Sequence, residues 1–89
     1  MRAVISVIGK DTVGILAKVS EKCASVNANI LDVTQTILQD MFVMIMMVDI
    51  SKINCEFAEM ASLFEKLGGE MGLSIHAMHE DIFNSMHRI

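Results

Sequence analysis

The segment with the clearest chemical capacity in this 89-residue chain is Gly9-Lys10-Asp11-Thr12-Val13-Gly14-Ile15-Leu16. It follows the apolar run Ala3-Val4-Ile5-Ser6-Val7-Ile8 and leads straight into an amphipathic stretch. Two glycines bracketing a short polar loop predict a strand that turns and enters a helix. Such a junction sets free helix N–H groups and positive dipole character beside exposed polar side chains. It suits a small anion such as an amino-acid carboxylate. On this reading Gly14 lacks a side chain so that a ligand or a second subunit can reach the backbone. The competing reading makes Gly9 and Gly14 ordinary turn and packing glycines. Asn29 either reaches a ligand across a subunit boundary with its amide or simply ends the preceding helix. Asp32 is either a solvated edge charge or a polar group that sets register.

Other chemistries find less support. His76 and His79 stand three apart on a predicted strand and should point to opposite faces, and no cysteine or carboxylate set completes a tetrahedron with them or His87, so no metal is expected. Met41, Met44, Met46 and Met47 read as core or interface filler rather than copper ligands. No nucleophile–base pair and no glycine-rich phosphate loop is evident, so catalysis is not expected and no cofactor is implied. An acylphosphatase-like reaction would want an arginine in the first loop, where Lys10 stands. RNA binding would want strand aromatics and basic residues, and Phe42 is the one strand aromatic.

Composition narrows the class further. The net charge is −4 with no basic cluster, which argues against a nucleic-acid partner. The chain is 53% hydrophobic, with nine Met and no Trp, Tyr or Pro, and its mean hydropathy is +0.50. Its longest apolar run, Met41 to Val48, is far short of the roughly 18 residues a membrane helix needs. The excess apolar surface is therefore expected in an oligomer interface. No targeting signal is expected at the N-terminus. Two lone cysteines, Cys23 and Cys55, read as reduced core residues in the cytoplasm. Residues 1–89 are expected to form one domain.

The elements that must position the loop follow from periodicity. Residues 2–9 alternate as a strand. Asp11 or Thr12 is the expected N-cap of a first helix over about 13–27, with Ile15, Leu16, Val19, Cys23 and Val26 as its apolar stripe. Residues 29–39 form a second strand, Gln39-Asp40 a tight turn, and 41–50 a third strand apolar on both faces, as for a central strand. Ser51 or Asn54 should cap a second helix buried through Phe57, Met60, Ala61, Phe64 and Leu67. Gly68, Gly69 and Gly72 should end it. Leu73 to Met78 alternate in a fourth strand, and a short amphipathic tail carries Ile82, Phe83, Met86 and Ile89. The fold class is α+β. The order βαββαβ predicts a ferredoxin-like sandwich, a four-stranded antiparallel sheet ordered 4-1-3-2, with both helices on one face and a short C-terminal helix. The second strand is then a long edge without Lys or Pro, which invites pairing. The tail or another subunit should cover the face opposite the helices.

On these residues the chain resembles an ACT domain. The resemblance rests on Gly9-Lys10-Asp11, Gly14-Ile15-Leu16, Asn29-Ile30 and Asp32-Val33 in the βαββαβ order. More narrowly it is similar to the stand-alone ACT proteins of the UPF0237 group, through Asp32-Val33-Thr34-Gln35-Thr36 and His79-Glu80-Asp81-Ile82-Phe83 with Met86-His87-Arg88-Ile89. It is also similar to the ACT halves of the glycine-cleavage-system repressor. The resemblance implies regulatory binding of a small ligand, often an amino acid, where the first loop of one subunit faces the second strand of its neighbour. Asp11 stands where many amino-acid-binding ACT domains carry Asn, which favours a ligand ammonium. Thr12-Val13 replace an Arg-Pro common in this loop.

The function expected is that of a homodimer, paired through its second strand and first helix, that senses a small metabolite and passes the effect to another protein. The ligand-binding set is Gly9, Asp11, Thr12, Val13, Gly14, Ile15, Asn29, Ile30 and Asp32. The alternative is a protein-interaction module with a vestigial pocket.

Overall fold

Alternating side chains along Arg2–Lys10 make β1, which sits between β3 and β4 in the sheet. The computed structural model describes residues 1–10 and 12–86. The elements run β1, α1 (Ile15–Ser25), β2 (Asn29–Leu38), β3 (Met41–Asp49), α2 (Phe57–Met71), β4 (Leu73–His79) and α3 (Glu80–Met86). The strands lie in the order β2-β3-β1-β4, all neighbours antiparallel, as the sequence pattern predicts.

Register explains why the apolar run of β3 is central. Ala3, Ile5 and Val7 pair with Val48, Met46 and Met44, and all six are fully buried beneath the helices. Val19 and Cys23 of α1 and Met60 and Phe64 of α2 join them in one core. On the opposite face, Val43, Ile45 and Met47 are only half-buried. That face is covered near one corner, where α3 packs on β1 and β4 and Val4 is fully buried. Of the tail residues expected to bury it, Phe83 is half-buried, but Ile82 and Met86 are exposed within the chain. Ile89 lies outside the described residues.

The helix starts differ from expectation. α1 spans Ile15–Ser25 rather than 13–27, and its N-cap is Gly14 at φ 88°, with no side-chain cap. A residue in the left-handed region can turn β1 sharply into the helix, so a side-chain acceptor at Thr12 is not what starts it. Asp11, the other expected cap, lies outside the described residues. α2 is preceded by Glu56, not by Ser51 or Asn54. Those two residues are committed elsewhere. The Ser51 N–H donates to Asp49 Oδ1 (2.8 Å), and the N-terminal amine donates to Ser51 Oγ (3.0 Å). Asn54 caps the far end of α1, its N–H donating to the Val26 carbonyl and its Nδ2 to the Ser25 carbonyl, both at 3.1 Å. The Ser25 and Val26 carbonyls at the C-terminus of α1 are thus satisfied from the β3–α2 connection, and those of Lys22, Cys23 and Ala24 by the N–H groups of Val26, Asn27 and Ala28. α2 ends at Gly72, φ 70°, and a Cβ on Gly68 would lie 2.6 Å from the Leu73 carbonyl oxygen, so glycine is required where α2 meets β4.

Candidate functional site

Of the nine residues expected to bind a ligand, the eight that are described fall into two groups towards opposite ends of the sheet, and Asp11 lies outside the described residues. β1 rises to Lys10, and the loop through Thr12, Val13 and Gly14 crosses the end from which α1 descends. β2 starts at Asn29 at the other end and climbs back towards the loop. Ten residues of strand separate the ends by roughly 30 Å. One chain therefore does not bring the loop and Asn29 together.

At the loop end, Thr12, Val13 and Gly14 are all exposed, Val13 completely. Lys18 N–H reaches the Gly14 carbonyl at 3.0 Å, so the N–H groups of Ile15, Leu16 and Ala17 have no acceptor within the helix. Two members of the expected set have structural roles. Ile15 is a core residue whose side chain is buried, leaving only its backbone to a ligand. Gly9 lies within β1, where a Cβ would come within 2.5 Å of Leu73 Cδ2 and 3.3 Å of Leu73 Cα. Its bare backbone lets β4 start alongside. Gly14 shows the reverse: nothing lies within 4 Å of a Cβ there, and its positive φ is what favours glycine. Within the chain, then, a side chain at Gly14 meets strain rather than a neighbour.

At the other end, Asn29 lines a cavity of about 270 Å³ with Asn27, Asp49 and Lys52. Asn29 pairs with Asp49 across the β2–β3 ladder. Asn27 adopts φ 61°, and its Nδ2 donates to the Lys52 carbonyl at 2.8 Å, tying the α1–β2 turn to the β3–α2 connection. Hydrogen bonding to Ser51, through its hydroxyl and its N–H, holds the Asp49 carboxyl below the usual aspartate value. The cavity thus offers a persistent anion, an ammonium and two amides, which together can hold a zwitterion. Asn27, Asp49 and Lys52 were not in the sequence-derived set. Asn27 read as a helix stop, and nothing local marks the pairing of Asp49 with Asn29.

Asp32 sits just past a bulge between Ile30 and Asp32, and its Oδ1 accepts the Val33 N–H at 2.9 Å. Its side chain is exposed at the edge of the sheet. Leu31 is the extra residue and stands exposed at the edge. His76 and His79 lie on opposite faces, since His79 pairs with Ala3 and His76 with Ser6. His87 lies outside the described residues. Among the described residues, no three His, Cys, Asp or Glu side chains gather to hold a metal.

Similarity to known proteins follows this architecture. The ACT domain family model matches residues 2–78. A UPF0237 protein of Methanococcus maripaludis is 52% identical over 86 residues, covering 97% of this chain and 96% of the relative. An ACT domain protein from Streptococcus pneumoniae superposes with a TM-score of 0.82 at 37% identity, covering 93% of both chains. A putative glycine cleavage system transcriptional repressor shares the fold, with a TM-score of 0.74 at 20% identity over 85% of this chain and 43% of that one. The glycine-turned loop, the antiparallel β2-β3-β1-β4 sheet and the family match over most of its length agree: the chain belongs to the ACT domain family, within its UPF0237 group.

Proposed function

We propose that this protein is a regulatory, non-catalytic homodimer that binds a small metabolite, an amino acid by its chemistry, at two sites across the subunit boundary and passes the effect to another protein. The observation that carries this reading is the open β2 edge and the exposed apolar side chains on and near the elements that flank it. Val13 on the loop, Leu16 on α1 and Leu31, Ile37 and Leu38 on β2 are all exposed. Isolated exposed apolar residues are ordinary, but several on an open edge strand ask for a partner. A two-fold axis across β2 reverses the neighbouring strand. The loop of one subunit then faces the Asn29 end of the other, and the two half-sites become one pocket.

The chemistry of such a pocket is complementary. Free N–H groups at the start of α1 donate to a ligand carboxylate. Asp49 and Asp11 accept from a ligand ammonium, and Asn29 supplies an amide to either end. The free thiols of Cys23 and Cys55 fit a reducing, cytoplasmic setting.

Thermal melting against the twenty amino acids tests this reading. A ligand at about 100 times its Kd adds about 2.7 kcal/mol to the folded state. Asn29→Ala should lose that gain while melting close to the parent without ligand. A protein that is dimeric yet gains from none of the twenty would support a protein-interaction module instead.

A further inference from the structure

The molecule is a thin slab, 35 × 34 × 19 Å, because one layer of helices covers one face of the sheet. Its accessible surface is 5712 Å², whereas a monomer of 9.8 kDa typically exposes about 5,200 Å². Part of the exposed apolar surface lies on the face opposite α1 and α2. There α3 shields the β1–β4 corner, and the rest stays open. Ile8 and Met41 are 44% and 45% exposed, and Val43, Ile45 and Met47 are half-buried.

We propose that this open face stacks on the same face of a second copy, so that two edge-paired dimers form a tetramer with their sheets back to back. The proposal rests on the β2 pairing put forward above. Area decides the stoichiometry. Strands about 4.8 Å apart rising about 3.4 Å per residue give the open part of β1, β3 and β2 roughly 450 Å² per chain. Two single chains stacked this way would bury about 900 Å², below the ~1,200–2,000 Å² of specific interfaces. Pairing through β2 fuses two such faces into one continuous sheet, and two fused faces bury about 1,800 Å², within that range.

Charge confines the contact to the middle of the face. Lys10 stands on this face at one end of the strands, and Asp32, Asp49 and Arg2 stand at the other, where Arg2 lies cross-strand from Asp49 and pairs with Glu80. Between these ends the described residues of β1, β2 and β3 on this face carry no charge.

Light scattering at micromolar concentration tests this with three variants. Ile8→Glu and Met41→Glu introduce a carboxylate at exposed positions of the open face, so the chain itself should fold, as circular dichroism would verify. Gln35→Lys with Ile37→Lys charges the β2 edge on the helix side, away from that face. The parent should have four chain masses, and each face variant two. A parent of two chain masses, unchanged by Ile8→Glu, overturns stacking and leaves edge pairing standing. A parent of four masses that both face variants preserve also overturns stacking. The edge variant should fall below four masses. If it retains them, or if the parent is a monomer, edge pairing fails and this proposal fails with it.

Discussion

The Phe57 ring stacks on the imidazole of His79, with centroids 4.1 Å apart and planes inclined by 23°. The contact ties the first residue of α2 to the last residue of β4. Because α3 begins at the next residue, Glu80, the stack also fixes where the tail leaves the sheet, and Arg2 clasps Glu80 there with Nη2 and Oε2 2.6 Å apart. A double-mutant cycle with Phe57→Ala and His79→Ala should give a coupling of about 0.5–1.5 kcal/mol by urea unfolding. Additive losses would show that the rings merely sit side by side.

Among the described residues four occupy the left-handed region, Gly14 at φ 88°, Asn27 at 61°, Gln39 at 60° and Gly72 at 70°. Gly14→Val should lower stability by about 1–2 kcal/mol through backbone strain alone, and Gly14→Asn by less, because Asn tolerates this conformation. Gln39→Gly should raise stability by up to about 1 kcal/mol at the β2–β3 turn. Ligand binding at the loop is therefore best probed with Gly14→Asn, since loss of binding in Gly14→Val would mix strain with obstruction. Equal melting temperatures for parent and Gly14→Val would contradict the strained turn.

Burial pushes the Cys23 thiol up to about 11, and its Sγ lies 3.7 Å from Met46 Sδ. At pH 8 iodoacetamide should modify half-buried Cys55 in the folded protein and reach Cys23 only on unfolding. The sign for stability follows. The folded-state value lies above the ordinary 9.0, so the contribution is full below that value and is lost as pH rises towards 11. Cys23→Ala should flatten this alkaline decline. Equal labelling of both thiols in the native state would mean that the core opens on the labelling timescale.

Asp49 has the opposite sign. Its carboxyl is held low by Ser51, so its contribution is present above the ordinary value of 3.8 and is lost as pH falls through its lower folded value. Asp49→Asn should melt with a shallower acid dependence below about pH 5. The same variant should weaken an amino-acid ligand by removing the acceptor for its ammonium. Unaltered ligand affinity in Asp49→Asn would remove the Asn29 cavity from the binding site.

The sequence by itself determined the order of elements, the central place of β3 and the core stripes of α1 and α2. These follow from local periodicity: an apolar run such as Met41–Val48 needs cover on both faces, and Val19, Cys23, Met60 and Phe64 recur at helical spacing. Tertiary structure decided what local pattern does not encode. The start of α1 depends on the φ of Gly14, which only the direction from β1 to α1 imposes. Asn54 reads as a cap for the helix that follows it, yet it satisfies the carbonyls of the helix before, because folding brings the β3–α2 connection under the end of α1. Gly9 looks like part of the loop, but it lies within β1, closely packed against the start of β4 at Leu73. The cavity joining Asn27 and Asn29 to Asp49 and Lys52 exists only through the β2–β3 register, which the bulge at Leu31 shifts by one residue. Pairing across a sheet is a non-local choice, made by packing the whole face at once, and so it placed the candidate site's charges where no single stretch of sequence does.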